Sequence, residues 1–159
     1  MTAGFALIAG EHPEAFAAYA AYVDEVWSSP DLPVGTLELC RRRIALLLGA
    51  PLELGWSLGE LPADVEVKAS MLAQWPRDPA FSELDRACLA FAEQFLMDVQ
   101  ALDDPTAEAV RVLAGDAGLV TLAIGVGLAE GLTRAAVVLG GPVQAGTLTS
   151  LRDRVEDAG

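Results

Sequence analysis

The chain has 159 residues, 53% of them hydrophobic, which suits one domain with a sizeable core. Its formal net charge is −13, from ten basic and 23 acidic residues. A surface this acidic repels phosphate, which argues against nucleic acid and anionic membranes as partners. Charged residues at 21% without low-complexity runs argue against disorder.

In chain order, the N-terminus (MTAGFALIAG) lacks a basic leader region and does not read as a signal peptide. Pro13 opens a helix through AFAAYAAYVDEVW, where Phe16, Tyr19, Ala20, Val23 and Val26 recur at three- and four-residue spacing. SSPDLP breaks it. A second helix is predicted over about 35–48, with Leu37, Cys40, Ile44, Leu47 and Leu48 on one face and Gly49 as its C-terminal stop. Pro51 opens a short helix through Trp56 and Leu58, and Pro62 another through Val65 to Leu72. WPRDPAF is a loop. Ser82-Glu-Leu-Asp85 is a capping-box-like start for a helix carrying Leu84, Cys88, Phe91, Ala92 and Phe95. Asp104-Pro105 marks the next start, and a last helix is predicted from about Gly118 to Leu139.

The most apolar stretch, Ala117 to Ala129, has 13 residues without a charge. A spanning helix needs about 20, so this stretch reads as a buried core helix. Gly125, Gly127 and Gly131 miss the dinucleotide spacing by one residue and follow no strand, so they read as small residues that allow close helix packing. The expected architecture is all-α: one helical domain over 1–142, with a polar tail over 143–159. Two cysteines are too few for a disulfide framework, and the expected compartment is cytoplasmic.

The chemistry-bearing residues are few. The lone histidine, His12, sits at the start of the first helix, and no metal-ligand cluster surrounds it. Arg41, Arg42 and Arg43 are consecutive, so on a helix they point about 100° apart. Surface or subunit salt bridges are expected for one or two of them. An inward contact with a carboxylate or an anionic ligand is expected for one. Glu130 and Arg134 form an i,i+4 pair on an apolar helix. Glu53 and Ser57 are also four apart, and a helical hairpin would bring Glu38 alongside them. Two carboxylates and a hydroxyl in an apolar pocket can run acid–base chemistry, because burial separates their pKa values.

Leu37-Glu-Leu-Cys-Arg-Arg-Arg-Ile-Ala-Leu-Leu-Leu-Gly-Ala50 resembles the signature helix of the carboxymuconolactone decarboxylase and alkyl hydroperoxidase D-like family. His12-Pro-Glu14, Ser82-Glu-Leu-Asp-Arg-Ala-Cys-Leu-Ala-Phe-Ala-Glu93 and Gly131-Leu-Thr-Arg134 resemble other family segments in the same order, over about residues 12 to 140. The redox members carry E-x11-C-x2-C-x3-H. Counted from Glu38, the two cysteines and the histidine fall on Ala50, Glu53 and Ser57, so the chain keeps the glutamate and lacks the rest. Without that thiolate there is no thiol peroxidase chemistry at those positions. Glu53-Leu54 partly matches the glutamate–aromatic pair of the lactone decarboxylase branch. The resemblance implies a homo-oligomer, commonly a trimer or a hexamer. The residues themselves lead to an expectation of no metal and no cofactor.

Three functional readings follow. The first is a cofactor-free acid–base enzyme, of lyase, isomerase or decarboxylase type, acting on a small organic substrate. Glu53 would be its acid or base, Glu38 the relay and Ser57 a hydrogen-bond donor, with Trp56, Arg43 and Glu130 lining the substrate site. The second is a catalytically silent binding or scaffold protein that retains the fold. The third is a thiol redox protein using Cys40 and Cys88. Nine arginines against one lysine, with abundant alanine, suggest a bacterial gene of high GC content.

Overall fold

The structure, a computed structural model, describes residues 10–50, 61–98 and 104–139. All five of its elements are helices: α1 (Pro13–Trp27), α2 (Val34–Leu47), α3 (Ala63–Ser70), α4 (Glu83–Met97) and α5 (Asp104–Val138). The all-α expectation holds. The short helix expected after Pro51, the site candidates Glu53, Trp56 and Ser57, and the tail over 143–159 lie outside the described residues.

Local chemistry sets the helix ends. Pro13 starts α1, where a missing N–H costs nothing. Gly49, at φ 67°, stops α2: its N–H donates to the Leu46 carbonyl and that of Ala50 to the Ala45 carbonyl, the two bonds of a Schellman motif. Ser82 and Asp85 form both halves of the capping box that opens α4. Asp85 is one methylene shorter than the usual glutamate and still reaches the Ser82 N–H at 3.0 Å. α5 begins at Asp104 as predicted, but it bends at Gly115, whose φ of 73° and ψ of −179° interrupt the helical run.

α2, α4 and α5 pack against one another at the centre, α3 lies on α2, and α1 lies on α5. Phe16, Ala20, Val23, Val26 and Trp27 bury the inner face of α1. Its Tyr19 hydroxyl donates to the Leu128 carbonyl of α5 at 2.9 Å, and burial pushes that phenol up to about 12. α3 sits close to α2 because Gly35 has no side chain; a Cβ there would lie 2.7 Å from Val65 Cγ2. Trp75 and Phe81 are buried and pin the loop between α3 and α4 to the core.

Three expectations need correction. α2 has no single apolar face: Gly35 to Arg42 are all buried, while Leu47 is exposed. It is the central helix and is covered on several sides, so its polar residues are buried with the rest. α3 ends at Ser70, two residues before the predicted Leu72, which is buried in the turns that follow. The stretch 117–129 is buried on one face only: Leu122, Val126 and Ala129 face the core, whereas Val120 is 57% exposed. The span Pro105–Ala135 is long and apolar enough to cross a membrane by length and composition, and its inner face packs on α1, α2 and α4.

Candidate functional site

The polar centre of the molecule is built on α2. Glu38 is 0% exposed. Helical spacing puts Arg41 and Arg42 one turn further on, at i+3 and i+4, where both reach back to it. Arg41 Nε and Nη2 donate to the two Glu38 oxygens, each at 2.8 Å, in a fork-to-fork pair. Arg42 Nε adds a third bond to Oε1 at 2.8 Å. Arg42 then extends outward, its Nη atoms donating to both oxygens of Glu66 on α3, at 3.0 and 2.6 Å. Burial works against the Arg42 charge, but the bonds from Glu66 and Glu38 outweigh it and raise its pKa. The bond from Arg42 holds the Glu66 carboxyl below its ordinary value, against the smaller effect of burial. Arg43 points elsewhere, as 100° steps require. Its Nε donates to Glu93 Oε1 at 2.6 Å, and the same oxygen accepts from Trp75 Nε1 at 2.7 Å.

A second polar group joins the first turns of α2 and α4 to α3. The buried Asp85 carboxylate accepts from the Thr36 hydroxyl at 2.8 Å and from Lys68 Nζ at 3.0 Å, and it also caps Ser82. Lys68 bridges to Asp64 as well, at 3.0 Å. Burial alone would raise the Asp85 pKa, but the hydrogen bonds prevail and hold it below the ordinary value. Burial likewise opposes the Lys68 charge and is outweighed by its bonds to Asp85 and Asp64, so its pKa is raised. The chain's one lysine is therefore an ammonium at neutral pH and has no free amine for nucleophilic or base chemistry. An open cleft of about 230 Å³ runs past these groups, lined by Pro33, Gly35, Thr36, Pro62, Lys68 and Asp85 among others.

Of the six residues assigned to the acid–base site, Glu38, Arg43 and Glu130 lie within the described segments, and each bonds a different set of partners. Glu38 is enclosed by its arginines. Arg43 is an ion-pair partner of Glu93. Glu130, on α5, pairs with Arg134 at 2.9 Å, as the i,i+4 spacing predicts. One arginine was expected to point inward to a carboxylate, and two do. Thr36, Glu66, Lys68, Asp85 and Glu93 were not foreseen as members of polar clusters. Their partners come from distant parts of the sequence, and the single lysine was the one compositional signal that pointed to any of them.

Cys40 and Cys88 are both buried. Burial, aided by Cys88 and Asp85, pushes the Cys40 thiol well above its ordinary value; burial and Asp85 push Cys88 up to about 12. Both are protonated and unreactive near neutral pH. Because the folded-state values lie above the unfolded ones, this contribution to stability is complete below about pH 8.5, the unfolded thiol pKa. It is lost as pH rises through the folded-state values. Alkylation with iodoacetamide at pH 8 is expected to proceed only as fast as the protein opens, and to become immediate in denaturant. Rapid native-state labelling of either residue would contradict the burial.

Among the described residues no group of three or more histidine, cysteine or acidic side chains is arranged to hold a metal ion. No protein-family model matches the chain, and neither a curated protein nor a solved structure does.

Proposed function

We propose that the chain works by binding, as a helical binding or scaffold protein, and not by acid–base catalysis through Glu38. The observation that carries this reading is the enclosure of Glu38: a carboxylate without solvent exposure, both oxygens held by two guanidinium groups. No substrate atom reaches it in this arrangement, and a general acid or base must come within hydrogen-bond reach of the proton it moves. Lys68 and Asp85, the polar pair that does border a cleft, neutralise each other.

This reading accommodates the resemblance to the carboxymuconolactone decarboxylase and alkyl hydroperoxidase D-like family. The chain would be a divergent member that kept the helical frame and the motif glutamate while losing the cysteines and histidine. The glutamate would persist because it pairs with two buried arginines. The protein would be cytoplasmic and bacterial, a homo-oligomer of the trimer or hexamer kind that the family resemblance implies, and would need no cofactor. Its small-molecule ligands would enter the cleft beside Lys68.

The test is a panel of small lactones and carboxylic acids, assayed for both thermal shift and turnover. Saturable thermal shifts without turnover are expected. Turnover that disappears in Glu53→Gln while the fold persists would overturn this reading in favour of acid–base catalysis at Glu53 and Ser57.

A further inference from the structure

Among the described residues nothing covers one apolar face of α5. Among the described residues, six of the eleven exposed large hydrophobics fall between Val112 and Leu139, Val120 on the seam described below being one of them. Beyond the bend at Gly115, the inner positions Gly118, Leu122, Gly125, Ala129 and Leu132 turn to the core. The opposite side carries Val120, Ile124, Gly127 and Gly131, at successive spacings of four, three and four. That is the repeat of a helix–helix seam. Val120, Gly127 and Gly131 are exposed, Ile124 is half-buried and packs in part against the core, and a Cβ built on either glycine meets nothing within 4 Å among the described residues. No charge lies on the seam: from Ala117 to Leu139 the chain has only Glu130 and Arg134.

We propose that this seam pairs antiparallel with the same seam of a second copy, about a two-fold axis between Ile124 and Gly127. It rests on the self-association proposed above and sharpens it to one surface and one register; of the two assemblies it fits the hexamer, which can carry two-fold axes, and not a simple three-fold trimer. In that register Ile124 faces Gly127 of the second copy and Val120 faces its Gly131, so each branched side chain enters the space above a glycine. Two-fold symmetry repeats both contacts, as a self-complementary interface requires.

The charges fit the same register. Asp116 and Arg134 are 18 residues apart, five whole turns, and therefore lie along the same edge of the helix. Antiparallel helices bring like edges together, which sets Arg134 of one copy beside Asp116 of the other, twice over. Both side chains are well exposed, Asp116 at 87% and Arg134 at 55%. Each also has a partner in its own chain, Arg111 for Asp116 and Glu130 for Arg134, and a guanidinium with five donors can serve two carboxylates. This match of large to small and plus to minus makes a second copy the favoured occupant. A bilayer offers neither match, and anionic lipid would be repelled by a net charge of −13.

The test uses the full chain and two single variants, Val120→Cys and Gly131→Cys. In the proposed register residue 120 lies opposite residue 131 of the second copy, whereas like residues are about 16 Å apart at 1.5 Å of rise per residue. A disulfide needs Cα atoms within about 7 Å. The two variants mixed and mildly oxidised are expected to cross-link into a species of twice the chain mass, while each alone does not. Cys40 and Cys88, being buried, do not compete. Gly131→Trp fills the space that Val120 would enter. It is expected to weaken association at least tenfold by sedimentation equilibrium, with the far-UV circular dichroism of the fold unchanged.

Cross-linking of either single variant with itself would overturn the antiparallel register. An oligomer that forms without the mixed cross-link would overturn the surface and leave self-association standing. A monomer at every concentration would overturn both, whether residues beyond 139 fold back on the seam or the wild type floats with lipid vesicles.

Discussion

Glu38→Ala is expected to lower the unfolding free energy by about 3–5 kcal/mol, among the largest losses that a single substitution can produce in this chain. The side chain is shared by Arg41 and Arg42, which are almost as buried as it is. Removing it leaves two guanidinium groups inside the helical core without their shared carboxylate. A buried charge that loses a carboxylate partner costs more than the pair gained by forming; Arg42 keeps its bonds to Glu66. Glu38→Gln keeps the shape and two acceptor or donor atoms, and should fall between alanine and wild type. Equilibrium urea unfolding followed by circular dichroism measures both. A Glu38→Ala protein as stable as wild type would show that the arginines do not depend on this carboxylate.

Gly115→Ala is expected to cost about 1–3 kcal/mol, although a Cβ at that position has open space around it. The cost lies in the backbone. A φ of 73° with ψ of −179° belongs to a region that is essentially closed to side-chain-bearing residues. The bend it makes lets the two parts of α5 meet the core separately, Val110 before it and Leu122 after it, both fully buried. Gly118, one turn on, has a different role. A Cβ there would stand 3.1 Å from the Asp31 carbonyl oxygen and 2.5 Å from Ala114 Cβ, so α5 can pass close to the loop after α1 only with glycine at that point. Urea unfolding of Gly115→Ala, compared with wild type, checks the backbone cost; equal midpoints would mean that the bend is not required.

The helices were legible in the sequence because their signals are local. Pro13, Gly49, the Ser82–Asp85 capping box and Asp104-Pro105 all act within a few residues, and each marks the boundary where it was read. Burial was less legible. Leu47 carries an apolar side chain at a core-like spacing and is exposed, because α2 ends with its last turn beyond the packed centre. Arg41 and Arg42 look like surface residues and are interior, because the carboxylate that permits their burial is supplied one turn away on the same helix.

The i,i+3 and i,i+4 spacing of Glu38, Arg41 and Arg42 was visible throughout; that it lies inside the molecule was not. The Thr36–Asp85–Lys68 and Arg43–Glu93–Trp75 groups depend on which helices become neighbours, and spacing along the chain carries no such information. The hairpin expected to join Glu38 with Glu53 and Ser57 concerns residues 51–60, outside the described part of the chain.

Glu38 acts as a structural charge and not a reacting one, and one comparison tests that most directly: the unfolding free energy of Glu38→Ala against that of the triple replacement Glu38→Leu, Arg41→Met and Arg42→Met. Replacing a whole buried ion cluster by apolar side chains of similar size is often neutral or stabilising, whereas removing one partner is not. The triple variant is therefore expected to recover most of the stability lost in the single one, with unchanged helicity and unchanged self-association. A triple variant no more stable than Glu38→Ala, or a Glu38→Ala protein that keeps its stability while losing a turnover measured in the wild type, would contradict the account.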